Sequence, residues 1–201
     1  MRRREFVKLV GGAAALWPLT ARAQPVQSMR RIAVLMDAPQ NDRGRPRLAA
    51  FVQGLLDLGW SDGRNVRIDI RWGANNSDLS RNLAAELLAL APDVVLTSGS
   101  PATAAMRQAS ATTPIVFALV TDPVGGGLID SLARPGANVT GFTLFEYSIG
   151  GKWLELLKEV APGVKRVAVL RDANVAAGSG QFGAIQAAAP TWGRTAPAGR
   201  E

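Results

Sequence analysis

The chain has 201 residues, 47% of them hydrophobic, which suits one globular domain or a domain with part of a second. It carries no cysteine and no histidine, so disulfides, thiol nucleophiles, imidazole bases and Ser-His-Asp triads are excluded. Of the formal charge of +7, residues 1–23 hold +4 (Arg2, Arg3, Arg4, Lys8 and Arg22 against Glu5), and the scattered arginines of the remaining +3 argue against a nucleic-acid partner.

Residues 1–23 read as an export signal. The arginine-rich start is followed by an apolar stretch from Leu9 to Leu19 and then Ala21-Arg22-Ala23, a small-x-small cleavage site. That stretch is too short, and too interrupted by glycines and Pro18, to span a membrane. Arg3-Arg4-Glu5-Phe6-Val7-Lys8 is similar to the twin-arginine export motif. The mature chain is expected to begin at Gln24, free in the periplasm.

Ile32 to Met36 is a buried strand ending in Asp37-Ala38-Pro39, without the Gly-x-Gly-x-x-Gly that a dinucleotide-binding turn needs. Asn41 to Pro46 reads as a polar loop, and Leu48 to Leu58 has helical spacing closed by Gly59. Val66 to Trp72 alternates with period two and predicts an edge strand. Leu79 to Leu90 predicts the next helix. Two similar units follow. Val94 to Leu96 is a continuous apolar strand leading through Thr97-Ser98-Gly99 to Ser100-Pro101 and a helix to Ala109. Ile115 to Val120 is another, leading through Thr121 to Asp122-Pro123 and a second helix ending at Ala133. Ser100 and Asp122 are read as N-caps, with proline at the first helical position. Asn138 to Thr143 is a short strand, Phe145 to Gly151 a crossover, and Lys152 to Val160 an amphipathic helix stopped by Pro162-Gly163. Val167 to Leu170 predicts a fresh strand, followed by a Gly/Ala-rich helix to about Ala189. The tail from Pro190 to Glu201 has no periodicity and reads as disordered.

Continuous apolar strands separated by helices predict an α/β fold with a parallel sheet, whose ligands bind outside the carboxyl ends of the strands. Two helix N-termini facing one crevice suit a small carboxylate. The candidate ligand-binding residues are Asp37, Ser98, Gly99, Ser100, Thr103, Thr121, Asp122 and Thr143. Ser100 both caps and can donate to a ligand. Asp122 is either a cap alone or also the acceptor of an amino-acid ammonium. Phe145 and Tyr147 are further candidates to line the cleft. Gly125-Gly126-Gly127 lacks the Lys-Ser/Thr of a phosphate-binding loop and reads as close packing. No metal ligands, cofactor or catalytic set are expected.

Leu58-Gly59-Trp60-Ser61-Asp62-Gly63-Arg64-Asn65-Val66, Thr121-Asp122-Pro123-Val124-Gly125-Gly126-Gly127-Leu128, the stretch Ser131 to Gly141, and Glu155-Leu156-Leu157-Lys158-Glu159 together resemble the ABC-transporter substrate-binding proteins that include tryptophan- and tyrosine-type binders. The resemblance runs from about Arg31 to Pro190. It implies a type I periplasmic-binding fold holding a small carboxylate-bearing ligand, such as an amino acid, between two lobes for an inner-membrane ABC permease. It also implies a division into a signal (1–23), a first lobe (24–145), a crossover with the start of an incomplete second lobe (146–190) and a tail (191–201). Family members commonly continue where this chain turns into Thr191 to Glu201, so truncation and impaired function are expected. The alternative is an exported α/β enzyme acting on a small anionic substrate, which without His or Cys would depend on Asp, Glu or Lys.

If the export reading holds, mass spectrometry of periplasmic material should give Gln24 as the first residue. Changing Arg3 and Arg4 to lysine should block export, and unchanged export would sink the twin-arginine route.

Overall fold

Each predicted apolar run that finds a parallel neighbour becomes a strand. The computed structural model describes residues 29–42, 44–171 and 176–191. The export signal, residues 172–175 of the predicted last βα connection, and the tail from residue 192 lie outside them. In chain order the elements are β1 (Arg30–Met36), α1 (Gly44–Asp57), β2 (Val66–Trp72), α2 (Ser77–Ala89), β3 (Val94–Ser98), α3 (Ser100–Ala109), β4 (Ile115–Thr121), β5 (Val139–Phe145), α4 (Ile149–Val160) and α5 (Ala176–Ala188). The five strands form one sheet in the order β2-β1-β3-β4-β5, with every pairing parallel. Its central strands read as apolar runs because both of their faces are covered.

The main core lies on one face. Ala33 and Leu35 of β1, Val95 of β3, and Ile115 and Phe117 of β4 meet Ala84 and Leu87 of α2 and Ala102, Ala105 and Met106 of α3. The i, i+2 spacing within each strand puts these side chains on a common side. A smaller cluster, Leu154 of α4 with Ile185 and Ala189, stands apart from it.

Several elements differ from expectation. α1 begins at Gly44, inside the expected loop, because Asn41 accepts a hydrogen bond from the Gly44 N–H (3.2 Å) and Pro46 is tolerated in a first helical turn. At α3 the N-cap is Gly99, with φ of 97°, and no side chain caps the helix, so Ser100 is its first residue rather than its cap. No helix follows β4: residues 123–127 form turns. Three consecutive glycines each cost a helix about 1 kcal/mol, and Asp122 stands at φ of 43°, outside the extended region of an N-cap. Val167 to Leu170 joins no strand. Val167 and Val169 rest against the small cluster while Leu170 is exposed, since an extended segment without a partner forms no ladder.

β5 closes the sheet at the edge opposite β2, and Gly141 lets it do so. A Cβ there would lie 2.1 Å from the Phe117 carbonyl oxygen and 2.6 Å from its nitrogen. Gly141→Ala should therefore push β5 off β4 and cost about 3 kcal/mol, at the upper end of overpacking penalties, read as a lower midpoint in urea unfolding. An unchanged midpoint would show that β5 docks by some other means.

Candidate functional site

A parallel sheet gathers the carboxyl ends of its strands on one rim. Here Met36, Trp72, Ser98, Thr121 and Phe145 end the strands there. The order reverses between β1 and β3, since β2 lies to one side of β1 while β3, β4 and β5 lie to the other. Loops leaving the two central strands diverge at such a point and open a crevice. Asp37 and Ser98-Gly99-Ser100 follow the two strands at this point and lie against each other.

Asp37 is held from several directions through its backbone. Its N–H donates to the Ser98 carbonyl (2.9 Å) and its carbonyl accepts from the Asn75 N–H (2.7 Å). The side chain lies against Gly99, where a Cβ would stand 2.9 Å from Asp37 Cβ and 3.2 Å from Oδ2. Gly99 is required twice over, by its left-handed φ and by this approach. Asp37 Oδ1 is shut off from solvent and has no hydrogen-bond partner. Among the described residues no ion pair reaches this carboxylate, and burial pushes its pKa up.

Across the crevice, Ser98 is nearly buried and Ser100 half-buried, both beside the uncapped N-terminus of α3. Pro101 has no N–H and Ala102 is fully buried, so the Ser100 N–H is the open backbone donor of this turn. Thr103 is fully buried beneath the turn. Its hydroxyl donates to the Gly99 carbonyl (2.8 Å) and lies 2.8 Å from Thr97 Oγ1. It shapes the loop from below and presents no surface to the crevice.

The second group of expected residues sits one strand further along, at the ends of β4 and β5. Asp122 accepts from the Gly125 N–H through Oδ1 (2.7 Å) and from the Tyr147 N–H through Oδ2 (3.1 Å). Both oxygens thus hold backbone, one on the turn after β4 and one on the connection into α4. Thr121 is half-buried beside it. The Thr143 hydroxyl donates to the Val120 carbonyl (3.1 Å) and stitches β5 to β4 where the register shifts. Leu119, at φ of 57°, marks the bulge. The expectation of two helix N-termini at one crevice is corrected: α3 supplies the one helix start.

Tyr147 has a part that the sequence pattern gave no direct sign of. Its ring fills the space over Gly180 of α5, where a Cβ would be 2.4 Å from ring atom Cδ2, and its hydroxyl reaches toward Gly126. Burial, with the nearby Asp122 charge, raises its pKa. The signal that existed was the glycine run facing it. Phe145 is exposed and meets Trp153 edge-on, with ring centroids 6.3 Å apart. Among the described residues there is no cluster of three metal-ligating side chains, and no helix is long and apolar enough to cross a membrane.

Comparison with known proteins agrees with this architecture. A family model described as ABC transporter substrate binding protein matches residues 32–193. A tyrosine-binding protein of Clostridioides difficile is 32% identical over 143 residues, covering 71% of this chain and 40% of the relative. Among solved structures, a conserved domain protein of Vibrio cholerae is 30% identical with a TM-score of 0.70, over 84% of this chain and 57% of that one. The ABC domain of a Streptococcus pneumoniae protein in complex with L-Trp is 25% identical with the same TM-score of 0.70, over 84% and 56%. The fold is that of the type I periplasmic binding proteins, and the chain spans about half the length of these solved structures.

Asp122→Ala removes two charge-assisted bonds to backbone N–H groups and places alanine at a left-handed φ that aspartate tolerates better. The stability loss should be about 2 kcal/mol, twice that of an ordinary cap, measured by chemical denaturation. A loss below half that value would mean the turn and the crossover hold without the carboxylate.

Proposed function

The chain belongs to the ABC transporter substrate-binding protein family, and from that membership we propose that it is the periplasmic solute-binding component of an ABC importer, taking an amino acid between two lobes. The first lobe is residues 24–145, and residues 146–190 cross over into the second. The bound molecule is passed to a permease in the inner membrane, and the twin-arginine-like start of the chain delivers the protein to that compartment.

The observation that carries this reading is the crevice between β1 and β3. There an uncapped helix start, with Ser98 and Ser100 beside it, stands at the point where the strand order reverses. Open N–H groups and the positive end of a helix dipole stabilise a carboxylate at such a place. Thr121, Asp122 and Thr143 bound the same rim further along, Gly99 gives the backbone its close approach, and Thr103 supports the loop from beneath. A relative named for tyrosine and a solved structure holding L-Trp support an aromatic amino acid as the ligand. The names of these proteins describe binding and transport rather than turnover, which favours a binder over the exported-enzyme alternative.

Thermal unfolding of the chain from Gln24 should shift upward with L-tyrosine or L-tryptophan. Ligand at 100 times its Kd adds about 2.7 kcal/mol to stability. No shift with either amino acid at millimolar concentration would overturn the reading.

A further inference from the structure

The two edges of the sheet are finished in opposite ways. An edge strand presents unpaired N–H and C=O groups, and proteins blunt such edges with charged side chains. β2 is blunted in this way. Its Asp69 pairs with Arg31 and Arg67, and its Arg71 pairs with Glu86. Asp62 accepts from the Ile68 N–H (2.9 Å), and the Arg71 guanidinium donates to the Ile70 carbonyl (3.0 Å), so part of the β2 backbone is closed by side chains. β5, at the far edge, reads Val-Thr-Gly-Phe-Thr-Leu-Phe and carries no charge. Among the described residues no side chain from another element bonds to its backbone. Thr140, Phe142 and Leu144 fall on one face by alternation, and all three are exposed, Phe142 to 76%. The apolar surface continues through Phe145 to Trp153 of α4, which it meets edge-on.

We propose that the β5 edge is a self-association surface, on which a second copy of this chain adds its own β5 antiparallel to the first. The choice of a second copy follows from symmetry and charge. Antiparallel pairing about a two-fold axis sets a strand against itself, so the partner is as uncharged as the strand it meets, and no carboxylate or guanidinium loses water unpaired. Phe142 is the middle residue of β5, so a pairing centred on it brings the two Phe142 rings together as a cross-strand aromatic pair. Adding β2 of a second copy instead would set Arg67 and Arg71 against a neutral strand and would build a head-to-tail chain rather than a closed pair. The area fits a reversible dimer. With about 200 Å² per aromatic side chain, Phe142, Phe145 and Trp153 expose on the order of 300 Å² in each copy. That is below half of the ~800 Å² per partner of a standard interface, and Leu144 with the backbone edge adds to it. β4 separates this seam from the switch point between β1 and β3, so self-association and the amino-acid reading stand independently.

The test uses the chain from Gln24 without ligand. Sedimentation equilibrium from micromolar to submillimolar concentration should show a monomer passing into a dimer and no larger species. Phe142→Lys sets two like charges against each other at the axis, and it should stay monomeric over the same range while keeping the circular dichroism spectrum of the wild type. The natural chain has no cysteine, so Phe142→Cys reports the pairing directly. Under mild oxidation at the upper concentration it should form a disulfide-linked dimer about tenfold faster than Leu58→Cys, whose position past the end of α1 is equally exposed and lies off the seam. This comparison decides on its own if Phe142→Lys fails to fold. A wild-type chain that remains monomeric throughout, growth beyond the dimer, a folded Phe142→Lys chain that still dimerises, or equal cross-linking rates for the two cysteine variants would each overturn the proposal.

Discussion

The pairing of β1 on both sides governs the rest of the molecule. Ile32 to Met36 matches Ile68 to Trp72 of β2 along one edge and Val94 to Ser98 of β3 along the other. A strand so enclosed must be apolar on both faces, and Ala33, Val34 and Leu35 are fully buried. The same pairing forces the chain to leave β1 in one direction and return on its far side. The contact of Asp37 with Gly99 at the switch point follows from that geometry rather than from any special loop sequence. Backbone bonds from Gly73 N–H to the Met36 carbonyl (2.7 Å) and from Asp37 N–H to the Ser98 carbonyl (2.9 Å) hold it in place.

The opposite end of the sheet solves a different problem. β4 must hand the chain through a long turn to β5, and β5 must then send it on to α4. The means are a bulge at Leu119, a glycine at position 141 and a carboxylate at position 122. Two non-glycine residues in left-handed conformations, Leu119 and Asp122, sit within four positions of each other. Such conformations persist only where the surroundings over-determine them. Here the surroundings are backbone bonds, among them Asp122 N–H to the Phe145 carbonyl (2.7 Å) and Gly126 N–H to the Asp122 carbonyl (2.8 Å). Tyr147 then carries the constraint outward to Gly180, so α5 packs against the connection that leaves the end of the sheet.

The sequence was most legible where a residue's role depends on its near neighbours. Five strands, the edge position of β2 and the helices α2 and α4 follow from periodicity, because burial of one stripe or one run leaves a regular trace. Asp37, Ser98, Gly99 and Asp122 were recognisable as rim residues from their places after apolar runs. What the pattern did not carry was competition between local rules. Asp122-Pro123 opens a helix by capping preference, yet Gly125 to Gly127 outweigh it. Ser100 is a good cap by type, but Gly99 takes the position because the chain needs a left-handed φ there. Val167 to Leu170 has the composition of a strand and no partner to make it one. The state of Asp37 was unreadable for a related reason. Its burial depends on a glycine two strands later, and the absence of an ion pair to it among the described residues depends on where their arginines finally lie.

Asp37 and Asp122 show how one residue type divides into two roles on one rim. Both follow a strand, and both face the same edge of the sheet. Both carboxylate oxygens of Asp122 accept from backbone N–H groups, so the side chain is committed to holding the turn and the connection into α4. Asp37 has one oxygen, Oδ1, sealed from solvent without a donor, and burial raises its pKa.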